Sequence, residues 1–462
     1  MGKKKNLLIN TLIIGIGKFS SQIIMFLMLP LYTSQLSTGE YGIYDTLISI
    51  ATFLVPFITM LFEESMFRYL IEFRDSEKKD IIISNTLIFC IFNITIFTFI
   101  YCIFCMFFDF AYKWYFLFYI IFNVLYIVSN AIARGLGKIK IYSISNFIAN
   151  VCMVVLNLIT ILLFKLGVRG LFISYCIGIM IAISFVVIKI DIFKYFRINR
   201  FEKKLFKEMF KYSLPLVPNS ISWSIINVSD RVMLTSVWSS SLNGIYSVSN
   251  KFPQAMGSIY NFFSIAWKES ASVEKGDTEY YSDIFNKIIK LLFIASTFIL
   301  CVLPIVFNLI IGREYIDAYK YIPILLIAML FSNISEFFSG ILIAYKKTKV
   351  IGITTIIAAL VNIIINFACI KKYGIWAAAF STMTSTFLVM LIRAIVIRKI
   401  IQINPKIKTL WKYIICTIIS IYVYYLNGIF LHLIFAALIF LIFIIFDLKN
   451  IKKFFKKRGD VL

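Results

Sequence analysis

The sequence predicts an all-α polytopic membrane protein of about 14 transmembrane helices, built as two pseudo-symmetric six-helix lobes plus two peripheral C-terminal helices. Three observations carry this. Of the 462 residues, 61% are hydrophobic and only 15% charged, with a mean hydropathy of +0.90. A soluble domain has roughly 45–50% apolar and about 25% charged residues, so this chain lacks the charge to cover a water-facing surface. Apolar runs near the ~20 residues that cross a hydrocarbon core recur fourteen times. Finally, part of the chain repeats itself at a fixed offset.

The runs fall at residues 8–32, 43–66, 81–108, 115–133, 143–165, 171–190, 212–238, 244–267, 284–308, 319–345, 350–370, 375–397, 413–426 and 429–446. The basic start Met1-Gly-Lys-Lys-Lys imitates the head of a signal peptide. No small-x-small cleavage site follows, so an uncleaved first helix is expected. Of the 47 Lys and Arg residues, 34 lie in or beside the segments that are inside if the N-terminus is, and 6 in or beside the opposite loops. Basic loops stay cytoplasmic, so an even number of spans places both termini inside. The net charge of +24 then reflects topology and not nucleic-acid binding. Five of the six tryptophans (Trp114, Trp238, Trp267, Trp376, Trp411) fall at expected helix ends, where amphipathic rings favour the interface.

The eight cysteines are scattered through apolar stretches, and His432 is the single histidine. Neither a disulfide framework nor a zinc site is indicated. No cofactor and no enzymatic activity are expected.

Residues 137–161 align without gaps to 346–370, with Lys138/Lys347, Lys140/Lys349, Ala149/Ala358 and Asn157/Asn366 among the identities. Gly42-Ile-Tyr44 opens the second span and Gly244-Ile-Tyr246 the eighth. A displacement of six spans preserves orientation, which is the parallel-repeat plan of several transporters. The expected organisation is 1–190 for the first lobe, 191–211 for a basic amphipathic linker, 212–397 for the second lobe, and 398–462 for the last two helices and a basic tail. In the linker, Phe201, Leu205, Met209 and Phe210 recur at helical spacing among lysines, as in a helix lying on the inner leaflet.

A charge at mid-bilayer costs ~2.5–3.5 kcal/mol on insertion scales, so charges retained there are usually buried and functional. Lys18 lies near the middle of span 1 and shares a face with Gln22. Span 7 carries Asn219, Trp223, Asn227, Asp230 and Arg231 as a stripe, and span 8 carries Ser247, Asn250, Lys251, Gln254 and Asn261. Arg231 and Lys251 should lie at similar depth, lining a water-filled cavity between the lobes. The alternative is that Asp230 neutralises one of them in a structural pair. Arg68 and Arg134 end spans 2 and 4 at the inner face. Glu63 and Glu64 end span 2 as candidates for proton or sodium binding or for pairing with Arg68. Lys287, Lys290, Lys320 and Arg393 are read as side chains reaching the interface from helix ends.

Several segments resemble the Wzx-type polysaccharide flippases of the MATE-like/MOP superfamily. They are GKFSSQIIMFLMLPLYTSQLSTGEYGIYD at 17–45, ESMFRY at 64–69, ARGLGKIKIY at 133–142 and SDRVMLTSVWSSSLNGIYSVSNKF at 229–252. Order and spacing carry the resemblance more than any one motif. It implies two six-helix lobes around a cationic cavity, in a bacterial cytoplasmic membrane. It also implies translocation of an undecaprenyl-diphosphate-linked oligosaccharide from inner to outer leaflet, for O-antigen or capsule assembly. Positive residues at family-like places are Lys18, Arg68, Arg134, Arg231 and Lys251. The amides of Gln22, Asn227, Asn250 and Gln254 would meet sugar. Asp230, Glu63 and Glu64 would balance charge or bind a coupling H+ or Na+. Membrane lipids and a polysaccharide polymerase complete the expected partners. The rival readings are a lipid II flippase, an ion-coupled drug exporter, whose cavity should be acidic, and a membrane glycosyltransferase or polymerase.

Overall fold

The computed structural model describes residues 26–74, 76–196 and 201–426, together with 428, 431–435, 437–439 and 441. Lys18 and Gln22, most of the first expected span and half of the fourteenth lie outside the described residues.

Among the described residues every regular element is helical. The first part of the chain forms α1 (Leu29–Gln35), α2 (Thr38–Thr59), α3 (Phe62–Glu72), α4 (Lys78–Phe107), α5 (Lys113–Gly135), α6 (Ile139–Asn157, running on as a π-turn to Leu163) and α7 (Gly167–Ile190). A connecting helix, α8 (Lys203–Ser213), leads to α9 (Val217–Val237), α10 (Ser240–Val273) and α11 (Thr278–Ile310). A 3-10 segment, Arg313–Tyr321, precedes α12 (Ile322–Ala344), α13 (Thr348–Tyr373), α14 (Ile375–Arg398) and α15 (Ile407–Tyr424).

Nine helices among the described residues are long and apolar enough to cross a membrane. The expected seventh and eighth spans, α9 and α10, are not among them. Their length suffices, since the 34 residues of α10 reach about 51 Å at 1.5 Å per residue. What lowers their hydropathy is the polar stripe itself. Many of its groups have protein partners, so these helices belong to the interior of the bundle.

Span 2 is not one helix. It breaks after Thr59, where Met60 and Leu61 both take left-handed backbone conformations with φ of 51°, and restarts as α3. Just upstream, Pro56 interrupts α2 and cannot donate to the Thr52 carbonyl. The hydroxyl of Ser224 on α9 donates to that oxygen at 3.4 Å.

The linker helix also differs from expectation. Leu205 and Met209 are buried, but against Phe62, Met66 and Val128 of the first part of the chain and not against lipid. The Ser65 hydroxyl donates to the Met209 carbonyl (2.8 Å), and the Asn85 side chain clamps the backbone of Glu202 through both its amide groups. Phe201 and the lysines at 203, 204, 207 and 211 remain exposed.

α2 packs against α9 and α10, which ties the first part of the chain to the second. Both α2 and α10 begin at a serine N-cap, Ser37 and Ser239, whose hydroxyls accept from Glu40 N and Leu242 N. Such a cap satisfies an orphan donor of the first turn. The two caps are 202 residues apart, as are Gly42 and Gly244, so the repeat seen in the sequence has a local structural counterpart.

Of the five tryptophans placed at interfaces, four are exposed in part, but Trp267 is 2% exposed. It stacks on Phe337 (4.3 Å between centroids) and donates its indole N–H to the Phe337 carbonyl. Aromatic neighbours at helical spacing outcompete the interface here. Arg393 is likewise no interfacial side chain. It is fully buried between α12, α13 and α14, and its guanidinium donates to Ser335, Ser339, Ile351, Thr354 and Thr355.

Candidate functional site

The polar stripe of α9 splits into two sites. Adjacent residues of a helix project about 100° apart, so Asp230 and Arg231 serve different neighbours. Arg231 turns toward α2 and pairs with Asp45, Nε to Oδ2 at 2.6 Å, while Nη1 donates to the Asn227 carbonyl. Both partners are at least nine-tenths buried. Lys251, from α10, lies 5.9 Å from the centroid of the Tyr41 ring and within electrostatic reach of Asp45 and Arg231. Two cations therefore face Asp45 where α2, α9 and α10 meet, and Asp230 stands within electrostatic reach of Arg231 from the other side of α9.

Asp230 turns the other way. Its carboxylate accepts from Tyr246 Oη (2.5 Å), Thr382 Oγ1 (2.5 Å), Asn366 Nδ2 (2.5 Å), Asn362 Nδ2 (3.2 Å) and Ser381 Oγ (3.3 Å). The alternative pairing of Asp230 with Arg231 or Lys251 gives way to the pair Asp45–Arg231. The cradle of Asp230 spans α9, α10, α13 and α14 and is rich in oxygen. Asn366 Oδ1 is buried there without a partner. Among the described residues no three His, Cys, Asp or Glu side chains gather to hold a metal ion. A single carboxylate among amides and hydroxyls suits a proton or a hard monovalent cation instead.

The remaining sequence-predicted residues are distributed as follows. Asn227 is exposed on α9, and its amide donates to the Trp223 carbonyl. Asn250 donates to the Tyr246 carbonyl, and Gln254 is half-buried on the same helix. Trp223 packs against Ile226, Ala358, Ala359 and Val389, which favours packing over a sugar platform. Arg134 stacks between Phe67 (4.2 Å) and Tyr142 (5.6 Å). Arg68 and Glu64 are exposed on α3. These groups belong to the far end of the N-terminal helices, away from the Arg231–Lys251 pair. Glu63 is buried beside the α2–α3 break, where the Thr59 hydroxyl donates to its Oε1 at 3.3 Å.

Asp45 was not singled out from the sequence. Its signal was available, since it follows Gly42-Ile-Tyr44 and is a lone acid near the start of an apolar span.

Contacts across the two parts of the chain gather at one end. Asn243 Nδ2 donates to the Gly42 carbonyl and to Thr46 Oγ1, both at 2.9 Å. Thr46 and Thr235 share a hydrogen bond of 2.7 Å. Tyr315 Oη donates to the carbonyls of Leu36 and Ser37, and Gly312 N donates to Thr33 Oγ1. The α3 end packs on α4, α5 and α8 instead.

Apolar helices of membrane length, packed as a bundle with buried charge between them, define a multi-pass membrane protein. The chain belongs to the polysaccharide biosynthesis protein family, whose match covers residues 7–267, more than half its length. No curated protein sequence matches it. The fold is that of the MOP superfamily. A lipid II flippase, MurJ, in an inward closed conformation is 18% identical, with a TM-score of 0.72 over 95% of this chain and 100% of that one. An inward-facing multidrug resistance MATE transporter is 14% identical, with a TM-score of 0.67 over 86% and 99%. An outward-facing MATE transporter is 13% identical, with a TM-score of 0.57 over 87% and 96%. These solved structures are of a flippase and of multidrug transporters.

Proposed function

We propose that this protein is a flippase. It moves an undecaprenyl-diphosphate-linked oligosaccharide from the inner to the outer leaflet of a bacterial cytoplasmic membrane and hands it to surface-polysaccharide assembly, where a polymerase would act next. The observation that carries the reading is the placement of two cations, Arg231 and Lys251, beside Asp45, while the other nearby carboxylate, Asp230, is already held by five donors. A diphosphate offers two charged groups that form strong charge-assisted hydrogen bonds with such cations. It can also displace Asp45 from Arg231 without leaving either cation bare. A drug exporter for cations would need the opposite balance.

On this reading the chain forms two six-helix lobes with both termini cytoplasmic, and the gathered contacts close the outer side. Arg68 and Arg134 then stand at the open inner side, where the headgroup enters. Arg231 and Lys251 hold it deeper, with Lys18 and the amides of Gln22, Asn227, Asn250 and Gln254 toward the sugars. Rocking of the lobes about this site exchanges access, and the Asp230 cradle takes the coupling cation.

Deletion of the gene, with profiling of undecaprenyl-linked intermediates and surface glycan, tests the cargo. Accumulated lipid-linked oligosaccharide with loss of surface polymer is the expected result and identifies the repeat unit. Unchanged glycan with lipid II build-up would move the assignment to peptidoglycan precursor, whose diphosphate the same cations would accept.

A further inference from the structure

On α14, Ala394, Ile397 and Arg398 are spaced i, i+3 and i+4, so they share one face, and Ile401 extends that line just past the helix. The helix end is closed by its own backbone. Lys399 N donates to the Val396 carbonyl, and Ile400 N and Ile401 N donate to that of Ile397. Residues 401–406 then run without helical structure as a strap along α11. Asn404 N donates to Ser282 Oγ at 3.0 Å, Asn286 Nδ2 to the Asn404 carbonyl at 3.1 Å, and Lys406 N to Asn286 Oδ1 at 2.7 Å. The chain turns next into α15, which α11 holds through the paired hydroxyls of Thr297 and Thr417 at 2.8 Å.

Because the strap is fastened to α11, a gap opens between it and the face of α14. It is a cavity of about 540 Å³, within the size range of small-molecule sites. Its walls are apolar. Phe285 of α11 stacks on Phe338 of α12, with 5.7 Å between centroids, and Ile397 and Ile401 form the side toward α14. Its mouth is polar, with Arg398, Gln402 and Asn404 all exposed. Lys399 and Lys406, exposed beside them in the chain, add positive charge to the same end. A guanidinium at the mouth of an apolar slot fits an amphiphile with an anionic head, since its planar fork matches a phosphate.

We infer that this cavity binds an acidic phospholipid, with its phosphate on Arg398 and an acyl chain against Phe285, Phe338 and Ile397. The orientation proposed above sets this end of α14 in the inner leaflet. Basic pockets between helices on that side take acidic headgroups. A zwitterionic lipid carries its own cation and gains less from the arginine. The bound lipid fills the gap between α14 and the strap, and so couples α15 to the helices before it.

The test uses the full-length protein in nanodiscs of phosphatidylcholine, without any glycan lipid, so its outcome is independent of the cargo assignment. Phosphatidylglycerol carrying a diazirine on one acyl chain is added and photolysed, and peptide mass spectrometry locates the adducts. They are expected in the peptides that hold Phe285, Phe338 and residues 397–403. Labelling there should exceed that by an equally labelled phosphatidylcholine about fivefold, the share of one basic residue near the surface. Arg398→Gln should bring the ratio to about one, and Arg398→Lys should keep it. Lys349→Gln, an exposed lysine of α13 that does not line the cavity, should keep it too. Equal labelling of the native protein by the two lipids, or no adduct in these peptides, overturns the inference. So does a preference that survives Arg398→Gln, or one lost equally in Lys349→Gln. Displacement of the label by undecaprenyl phosphate and not by unlabelled phosphatidylglycerol overturns it as well, by giving the cavity to a polyprenyl chain.

Discussion

Gly42 and Gly244 meet at one helix crossing, each packed against the backbone four residues before the other. A Cβ on Gly42 would run into the carbonyl oxygen of Ser240, and one on Gly244 into that of Thr38. Thr38 precedes Gly42 by four residues as Ser240 precedes Gly244, so both helices present a small-x-x-x-small pair and the contact is reciprocal. Membrane helices use such pairs to bring backbones close. Here the pairing joins equivalent points of the repeat, at the end where the two parts of the chain are hydrogen-bonded together.

That geometry leaves no room for a methyl group. Gly42→Ala and Gly244→Ala should each force α2 and α10 apart, at the ~1–3 kcal/mol typical of overpacking, or about 5–150-fold in an equilibrium constant. Leu36→Cys, at a position buried beside this junction, reports the opening through maleimide labelling. It should label faster by that factor in either alanine variant. Gly352→Ala, where an added Cβ meets nothing within 4 Å, should leave labelling as it was. Equal labelling in all three would remove the closure from this crossing.

The Asp45–Arg231 pair makes a different prediction, because its partners are both buried. Removing one member of such a pair costs about 3–5 kcal/mol by stranding the other charge. Asp45→Asn and Arg231→Gln should each lower the thermal unfolding temperature. The double substitution should lower it by less than their sum, with a coupling of about 0.5–3 kcal/mol. Binding separates the roles. Asp45→Asn should retain affinity for a diphosphate lipid, and Arg231→Gln should lose it. Additive melting shifts would show that the two charges act independently.

The class of fold was legible because soluble chains rarely carry apolar runs of membrane length, and never in such number. The proximity of Arg231 and Lys251 on neighbouring helices was legible too, since helix rise converts residue count into distance. Partner choice was not. Asp230 and Arg231 are neighbours in sequence, and the helix sends them to different faces, so Asp45, 186 positions away from Arg231, became the partner. The polar content of α9 and α10 was visible, but its satisfaction by α2, α13 and α14 depended on packing. Lys287 is exposed and paired one turn away with Asp283, whereas the partners of Arg393 all come from other helices and so could not be read locally.

Arg393 gives a control for every cation assigned to transport. Its donors end on hydroxyls and carbonyls of α12 and α13, so its role is to hold helices together. Arg393→Leu strands those oxygens, at about 1–3 kcal/mol for each buried group left without a partner, with lower protein level and proportionally lower export. Arg393→Lys loses the planar fork and should fall in the same direction. Lys251→Ala should do the reverse, keeping the protein level and losing export. Export normalised to folded protein distinguishes the two, and a drop in that ratio for Arg393→Lys would assign this residue to the cargo.

The Asp230 cradle predicts a dependence on sodium. Five donors hold the carboxylate, and two of them are side-chain amides that can turn to present oxygen instead. With Asn362 and Asn366 turned, Asp230, both amide oxygens and the hydroxyls of Ser381 and Thr382 would offer a hard cation an all-oxygen shell. A ligand bound only to the folded state stabilises it by about 2.7 kcal/mol at one hundred times its dissociation constant. Native protein should therefore melt at a higher temperature in sodium than in choline at equal ionic strength. Asp230→Asn should melt alike in both, because the charge that holds the cation is gone. Asp45→Asn, which leaves the cradle intact, should keep the sodium response. A native protein that melts at one temperature in both salts would make Asp230 a structural carboxylate and transfer the coupling role elsewhere.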